Sequence, residues 1–296
     1  MVSVKVLEFY SGIGGMHYAA QLAGWDCEIL KAFDINDIAN NVYKHNFGAK
    51  TVGQVNKRHI LKIACSNLLP SSFPLQKLIE GLDVAYFDNW RADVWTMSPP
   101  CQPYTRLGLQ HGSQDPRSKS FLHLLTVLDT MVHPPSYILV ENVKGFETSD
   151  SRNLLVNQLQ KTGYNFQEFL LTPSKTVGIP NSRLRYYLLA KLNPLTFAPV
   201  VTQITTPPEN SIIYDFIPFV NEDFKLYGKE NNVIRDYLES NVNHDVYAVP
   251  DKTLLKNGYV FDIVTPSSRH SCCFTKGYFH YAQGTGMYQA EERVCV

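Results

Sequence analysis

Residues 4–15 have the sequence VKVLEFYSGIGG, which is the strongest indication of the fold. The first six residues are largely apolar or β-branched and predict a short strand. The segment Ser11–Gly15 predicts a tight turn, and residues 16–23 predict a helix that Gly24 closes. Glycines between a strand and a helix let a ligand approach the backbone, with amides and the helix N-terminus facing it. The alternative interpretation is a tight turn that binds nothing.

The same alternation continues along the chain. Further strands are predicted over 27–33, 94–98, 137–140, 166–171 and 185–192, and further helices over 38–45, 121–132 and 153–159. Alternating strands and helices predict an α/β fold with a mostly parallel sheet. Residues 195–260 change character, with many Pro, Asn, Tyr and acidic residues. We therefore predict a catalytic domain over 1–193 and a small irregular domain over 194–296.

Composition limits the class of protein and of partner. The 27 basic residues balance the 27 acidic ones, so a nucleic-acid partner requires a local basic face. The six cysteines are scattered without a CxxC pair, which predicts no metal site. The sequence shows neither a membrane-spanning run nor a signal peptide, so we expect reduced thiols and a location in the cytoplasm, the nucleus or both.

Polar residues follow the predicted strands, at the edge where ligands bind in such sheets. Asp34 ends the second strand and suits the ribose hydroxyls of a nucleoside cofactor, or alternatively caps the next helix. Cys101 stands in Pro99-Pro100-Cys101-Gln102-Pro103, where prolines stiffen the loop. An aimed thiolate is a strong nucleophile, although a proline-rich connector can also contain a cysteine by chance.

Three further charged residues are candidates for the same site. Glu141 leaves an apolar strand and can share a proton in a cleft, or serve as a structural carboxylate. Arg183 and Arg185 are two positions apart at the start of a predicted strand, so their side chains are predicted to lie on the same face of that strand. Their planar guanidinium groups can hold a base edge or a phosphate, or simply face solvent.

Four motifs occur in the order found in the DNA cytosine-5 methyltransferase family, which this sequence resembles over about residues 4–192 and again near 272–286. They are the glycine motif, Pro99–Pro103, Glu141-Asn142-Val143 and Ser182-Arg183-Leu184-Arg185. Longer stretches are similar to one branch, the aspartate-tRNA cytosine-38 C5-methyltransferases. These stretches are LEFYSGIGGMH (7–17), ENVKGFE (141–147), GIPNSRLRY (178–186) and CFTKGY (273–278).

The resemblance implies a class I S-adenosylmethionine-dependent methyltransferase with a Rossmann-like sheet and a small target-recognition domain. Methyl transfer to C5 of cytosine in tRNA, at position 38 of aspartate tRNA, is the implied activity. The implied cofactor contacts are Ile13, Gly14 and Gly15 to the methionine part, Asp34 to the ribose, Ile79 and Glu80 to the adenine, and Ser98. The implied catalytic residues are Cys101, which attacks C6 of cytosine, Glu141, which bonds N3 and the exocyclic amine, and Arg183 and Arg185, which orient the base.

Two departures from the family pattern lead to further expectations. Residues 52–73 look like an insertion, either a surface excursion or an artefact of the gene model. The family continues after position 296 with a helical segment carrying an Asn-Ser motif, which completes the cofactor pocket and which this sequence does not show. We therefore expect that the C-terminal part of the family domain is missing and that this chain has weak activity or none.

Two alternative functions stay open at this point. One is a DNA cytosine-5 methyltransferase, with DNA as a weaker second partner of a tRNA enzyme. The other is a non-catalytic isoform that binds RNA or the cofactor. For tRNA binding by a monomer, the candidate basic residues near the cleft are Arg183, Arg185, Arg269 and Lys276.

Overall fold

The computed structural model describes residues 3–48, 51–54, 78–100, 118–197, 212–217, 232–240, 248–273 and 287–289. Cys101 and Lys276 lie outside the described residues, as do residues 55–73 of the predicted insertion. Among the described residues, no helix is long and apolar enough to cross a membrane.

The chain alternates strands and helices in its first two thirds, as the sequence predicts. In chain order the elements are β1 (Val4–Phe9), α1 (Gly15–Leu22), β2 (Cys27–Asp34), α2 (Asp37–Phe47), β3 (Val52–Gln54), α3 (Val84–Asp88), β4 (Val94–Met97), α4 (Lys119–Thr130), β5 (Tyr137–Val143), α5 (Asp150–Lys161), β6 (Tyr164–Leu171), α6 (Pro173–Thr176), β7 (Arg185–Leu192), β8 (Ile213–Tyr214), α7 (Asp251–Asn257), β9 (Asp262–Val264) and β10 (Met287–Gln289). Short 3-10 helices occupy Ile79–Gly81, Phe146–Thr148, Ile234–Tyr237 and Gly258–Val260.

Contacts divide the chain into two compact units that differ from the predicted 1–193 and 194–296. Unit 1 comprises residues 1–168 and 186–212, and unit 2 comprises 169–185 and 213–296. The sheet of unit 1 has the strand order β3-β2-β1-β4-β5-β7-β6. The pairs β2–β3, β1–β2, β1–β4 and β4–β5 are all parallel. This confirms the predicted α/β fold with a mostly parallel sheet.

An aromatic cluster forms part of the core of unit 1. The rings of Phe9, Phe33 and Trp95 come from the neighbouring strands β1, β2 and β4, and Phe87 comes from α3. Phe9 stacks on Phe33 with ring centroids 5.2 Å apart and meets the edge of Trp95 at 5.0 Å. All four side chains are fully buried, so they fix the packing of the strands whose carboxyl ends carry the predicted site.

In unit 2, the segment before β7 is tied to residues near 271. The Ser182 amide donates to the Ser271 carbonyl at 2.8 Å, and the Ser271 hydroxyl donates to the Pro180 carbonyl at 2.8 Å. Asp215, next to β8, accepts from the Thr172 amide and from the Lys175 ammonium group. These bonds explain why residues 169–185 pack with the later part of the chain.

A buried ionic network joins α5 to the sheet of unit 1. Glu168 on β6 accepts two hydrogen bonds from the Arg152 guanidinium and one from the Tyr186 hydroxyl at 2.7 Å. Only 2% of Glu168 is exposed. Burial and the neighbouring Glu168 carboxylate raise the pKa of Tyr186, so its hydroxyl stays a donor. The buried Glu168 carboxylate is therefore satisfied by Arg152 and Tyr186 together.

We expect Glu168→Gln to lower the free energy of unfolding by about 3 kcal/mol, because it leaves the Arg152 charge without its buried counterion. Chemical denaturation monitored by circular dichroism measures the change. The control is Asp129→Asn, which removes a carboxylate from the exposed pair with Lys161 and should leave stability within error. Equal stability of the two variants would contradict the role of the Glu168 network.

Candidate active site

The loop after β1 is held in shape by its own backbone and by Asp34. The Ser11 amide donates to the Phe33 carbonyl, and the Gly14 amide donates to the Ser11 carbonyl at 2.9 Å. The Gly12 amide donates to Asp34 Oδ2 at 2.8 Å. Because Asp34 ends β2, this bond joins the carboxyl ends of the two neighbouring strands.

Both oxygens of Asp34 accept backbone hydrogen bonds. Oδ1 accepts from the Asn36 amide at 2.7 Å, while Oδ2 accepts from Gly12. The side chain of Asn36, not that of Asp34, caps α2 by accepting from the amides of Ile38 and Ala39. Each carboxylate oxygen retains a further lone pair, so the geometry leaves capacity for a ribose hydroxyl.

Gly14 is required by the packing behind the loop. Its φ is +98°, and a Cβ atom there would lie 2.3 Å from Phe47 Cε2 and 3.1 Å from Tyr43 Cδ2. The Phe47 ring cannot move aside easily, because it stacks on His17 at 3.8 Å between centroids and also contacts Tyr18. Glycine is therefore the residue that both the backbone and the neighbouring rings permit at position 14.

The front of the loop, in contrast, is open. A Cβ atom at Gly12 or Gly15 would meet nothing within 4 Å. Ile13 and Ile35, which follow the ends of β1 and β2, expose 60% and 49% of their surfaces. The buried Ser11 hydroxyl has no hydrogen-bond partner among the described residues. Open backbone, exposed apolar side chains and an unused polar group together fit a nucleoside cofactor that carries an amino-acid tail.

The segment after β4 is anchored on both sides. The Ser98 amide donates to the Phe9 carbonyl at 3.2 Å, which places Ser98 beside the end of β1. The fully buried Asn142 donates from its side-chain amide to the Pro99 carbonyl at 3.3 Å and accepts from the Val143 amide. These bonds anchor Ser98 and Pro99, while Cys101 itself lies outside the described residues.

Glu141 and Ser98 lie at the same edge of the sheet. Glu141 is within β5, and the preceding Val140 pairs with Met97 at the end of β4. The structure therefore brings Asp34, Ser98, Glu141 and the glycine loop to the carboxyl ends of adjacent strands, as the sequence predicts. Ile79 is buried and Glu80 exposed in a 3-10 helix that packs against α4.

The three described candidate arginines belong to unit 2. Arg183 precedes β7 and is exposed, while Arg185 opens β7 and donates to the Leu184 carbonyl at 2.9 Å. Arg269 is also exposed and lies two residues before Ser271, which holds Pro180 and Ser182. The two stretches that carry these arginines are thus joined directly.

Sequence reasoning missed three residues that the structure brings to the site. Ile35 is an exposed apolar residue directly after Asp34. An apolar residue at this position is visible in the sequence, so the sequence alone could have indicated it. Asn142 belongs to the motif Glu141-Asn142-Val143, but its bond to Pro99 depends on the alignment of β4 and β5. Ser11 lies in the glycine motif, yet its burial without a partner becomes visible only in the folded chain.

We expect Asp34→Asn to weaken binding of S-adenosylhomocysteine about tenfold and to lower stability by about 1–2 kcal/mol. An amide offers one acceptor, so either Gly12 or Asn36 would face an NH₂ group. Titration calorimetry and chemical denaturation measure the two effects. Asp37→Asn is the control, since Asp37 begins α2 and holds no loop amide; unchanged affinity in Asp34→Asn would contradict this prediction.

The comparisons with known proteins agree with this geometry. A family model described as C-5 cytosine-specific DNA methylase matches residues 4–262. A Mus musculus tRNA (cytosine(38)-C(5))-methyltransferase is 38% identical, over 97% of this chain and 74% of its own length. A Dictyostelium discoideum DNA (cytosine-5)-methyltransferase is also 38% identical, over 97% and 76%. The crystal structure of S. pombe Dnmt2 methyltransferase superimposes with a TM-score of 0.73 at 36% identity, over 97% of this chain and 76% of that one.

Proposed function

The chain belongs to the C-5 cytosine-specific DNA methylase family, which methylates C5 of cytosine with S-adenosylmethionine, and we propose that its substrate is cytosine 38 of aspartate tRNA. The name of the mouse relative, which aligns with nearly the whole of this chain, supports the tRNA substrate. The family also includes the Dictyostelium relative named for DNA, so duplex DNA is the second candidate substrate.

One structural observation carries the proposal: the segments after β1, β2 and β4 are tied together at one edge of the sheet. Asp34 joins β2 to the glycine loop, and Ser98 joins β4 to the end of β1. Asn142 then holds the Pro99 carbonyl, two residues before Cys101 in the chain. The glycine loop and the segment that leads to Cys101 are therefore both anchored at the same edge of the sheet. A reaction between two bound substrates requires such fixed relative positions.

The cofactor supplies an electrophilic methyl group on a sulfonium ion. In our proposal, Asp34 accepts from the ribose hydroxyls, and Ile35 contacts an apolar face of the nucleoside. Ile13, Gly14 and Gly15 line the methionine part, Ser98 also contacts the cofactor, and Ile79 and Glu80 contact the adenine. The open space in front of Gly12 and Gly15 supports this placement.

The cytosine ring needs activation, because C5 is a weak nucleophile. In the proposed reaction the Cys101 thiolate adds to C6, and the electron pair at C5 forms the bond to the methyl group. The methyl–sulfur bond breaks at the same time, and its electron pair stays on the sulfur of the departing S-adenosylhomocysteine. A base then removes the C5 proton, and the C5–H electrons restore the C5–C6 double bond as the thiolate leaves. Glu141 bonds N3 and the exocyclic amine, which stabilises the ring as charge develops.

Arg183 and Arg185 orient the base in this proposal, and the exposed Arg269 contributes to tRNA binding. Guanidinium groups suit base edges and phosphates because their donors are planar and paired. An anticodon-loop cytosine leaves its stack at a lower cost than a cytosine in a duplex, which favours tRNA. We also propose that the protein acts as a monomer in the cytoplasm, the nucleus or both.

Transfer of tritiated methyl groups tests the proposed substrate. The purified chain is incubated with labelled S-adenosylmethionine and an aspartate-tRNA transcript, the same transcript with uridine at position 38, or duplex DNA. Label on the first transcript alone is expected, whereas no label on any substrate would favour the alternative of a non-catalytic isoform. Label on the uridine transcript would place the target elsewhere in the tRNA, and label on DNA alone would replace tRNA by DNA as the substrate.

A further inference from the structure

Helix α4 begins beside two segments of the proposed cofactor site, and its first turns contact both of them. The hydroxyl of Tyr10, directly after β1, donates to the Ser120 hydroxyl at 3.0 Å. His123 lies three residues further along α4, with its Nε2 atom 2.7 Å from the Leu82 carbonyl oxygen. Residues three apart on a helix lie on the same face. One face of α4 therefore reaches both the start of the glycine loop and Leu82.

Leu82 belongs to the segment that carries the residues proposed to contact adenine. It follows the 3-10 helix Ile79–Gly81, and its amide donates to the Ile79 carbonyl at 3.1 Å. The carbonyl groups at the end of a helix have no donor within that helix, and here His123 supplies one from α4. Because a carbonyl oxygen only accepts, the His123 ring carries a hydrogen on Nε2. The bond therefore holds the end of the 3-10 helix against α4.

The chain after Leu82 is tied to the end of β2. The Asp83 carboxylate caps α3 by accepting from the Tyr86 amide at 2.8 Å. The Tyr86 ring packs edge-to-face against Phe33, which directly precedes Asp34, with 6.4 Å between the ring centroids. The 3-10 helix is thus anchored to α4 by His123 and, through α3, to the strand that carries the proposed ribose contact.

We propose that His123 is a positioning residue for the adenine of the cofactor, because its bond to Leu82 holds Ile79 and Glu80 where they contact the base. This role rests on the proposed function, which assigns those two contacts. His123 itself neither touches the cofactor nor takes part in the chemistry at C5 of cytosine. It sets the place of one wall of the nucleoside site, and a wall that is fixed before binding raises affinity because no ordering cost remains.

A positioning role differs from a role in stability alone by the ligands that it affects. If the bond only stabilised α4, its loss would lower the free energy of unfolding and leave the cofactor affinity of the folded chain unchanged. If the bond holds the 3-10 helix in place, its loss weakens every ligand that contains adenine. The part of the site that binds the methionine tail is then unaffected.

Affinities for S-adenosylhomocysteine and for adenosine test the proposal on the full chain. Equilibrium dialysis with tritiated ligand measures both, after circular dichroism has verified that each variant is folded. His123→Leu should weaken both ligands about tenfold, because it leaves the Leu82 carbonyl without this donor and releases the 3-10 helix. His123→Gln should stay within about threefold of wild type, since its side-chain amide keeps a donor at a similar reach.

Two matched variants separate the adenine contacts from other effects. Gly15→Ala changes the loop proposed for the methionine part, so it should weaken S-adenosylhomocysteine but leave adenosine within about twofold. Thr126→Val removes a hydroxyl that donates to the Leu122 carbonyl within α4, and it should leave both affinities within about twofold. If His123→Leu does not fold, His123→Asn gives the same comparison, because its amide is too short to keep the bond to Leu82.

Three results would overturn the proposal. They are unchanged affinities in His123→Leu or His123→Asn, equal losses in His123→Leu and His123→Gln, and a loss for S-adenosylhomocysteine without one for adenosine. Failure of the proposed tRNA substrate is distinguishable, since these titrations involve no nucleic acid. Absence of S-adenosylhomocysteine binding by the wild type would overturn the cofactor assignment, and this role of His123 with it.

Discussion

Cys101→Ala should reduce methyl transfer to tRNA by at least about a thousandfold, because without a thiolate the C5 position is not activated. Tritiated methyl transfer under single-turnover conditions measures the loss. Binding of the same tRNA in a gel-shift assay should stay within about twofold of wild type, since the substitution removes one small side chain. A large loss of methyl transfer with little change in tRNA affinity is the result expected when the residue removed is the nucleophile.

A covalent trap makes this prediction sharper. Fluorine at C5 of the target cytosine cannot leave as a proton does, so the adduct with the enzyme should persist. Wild type and Cys27→Ala should both give a tRNA–protein band on a denaturing gel, because Cys27 begins β2 at the opposite end from the site. Cys101→Ala should give none. A band in Cys101→Ala would show that another residue is the nucleophile.

Gly14→Ala should lower the free energy of unfolding by about 3 kcal/mol, a large share of the stability of a typical domain. Two effects add: alanine at φ +98° is strained, and its Cβ would lie 2.3 Å from the Phe47 ring. Chemical denaturation measures the loss. In the Phe47→Ala background, Gly14→Ala should cause a smaller loss of free energy of unfolding, because the clash is gone and only the backbone strain remains.

Gly15→Ala is the matched control for Gly14→Ala. Gly15 opens α1 without a positive φ, and a Cβ there meets nothing within 4 Å, so stability should stay equal or rise by about 0.5 kcal/mol. The same methyl group would enter the space proposed for the cofactor and weaken binding of S-adenosylhomocysteine. A stability loss in Gly15→Ala as large as that in Gly14→Ala would contradict the assigned roles of the two glycines.

Local sequence patterns predicted the bounds of several strands well. β7 spans Arg185–Leu192 as predicted, and β2 and β6 differ from their predictions by one or two residues. β5 extends beyond the predicted Val140 to Val143, so Glu141 lies inside the strand. β3 lies at the start of the predicted insertion, where no local pattern marks a strand, and it exists because Val52–Gln54 pair with β2.

Local patterns in the sequence identify the class of fold and the family and predict the edge of the sheet that carries the candidate site, because strand–helix alternation and short motifs depend on neighbouring residues. What each polar or small residue contacts follows from the tertiary structure. Asp34 holds the glycine loop across 22 positions of sequence, and Gly14 is constrained by rings on α2. His123 looks like an ordinary helix residue until packing places the Leu82 carbonyl, 41 positions earlier in the chain, beside its ring. These environments arise from groups far apart in the chain, and the burial, charge and free volume that they set appear only when the elements pack.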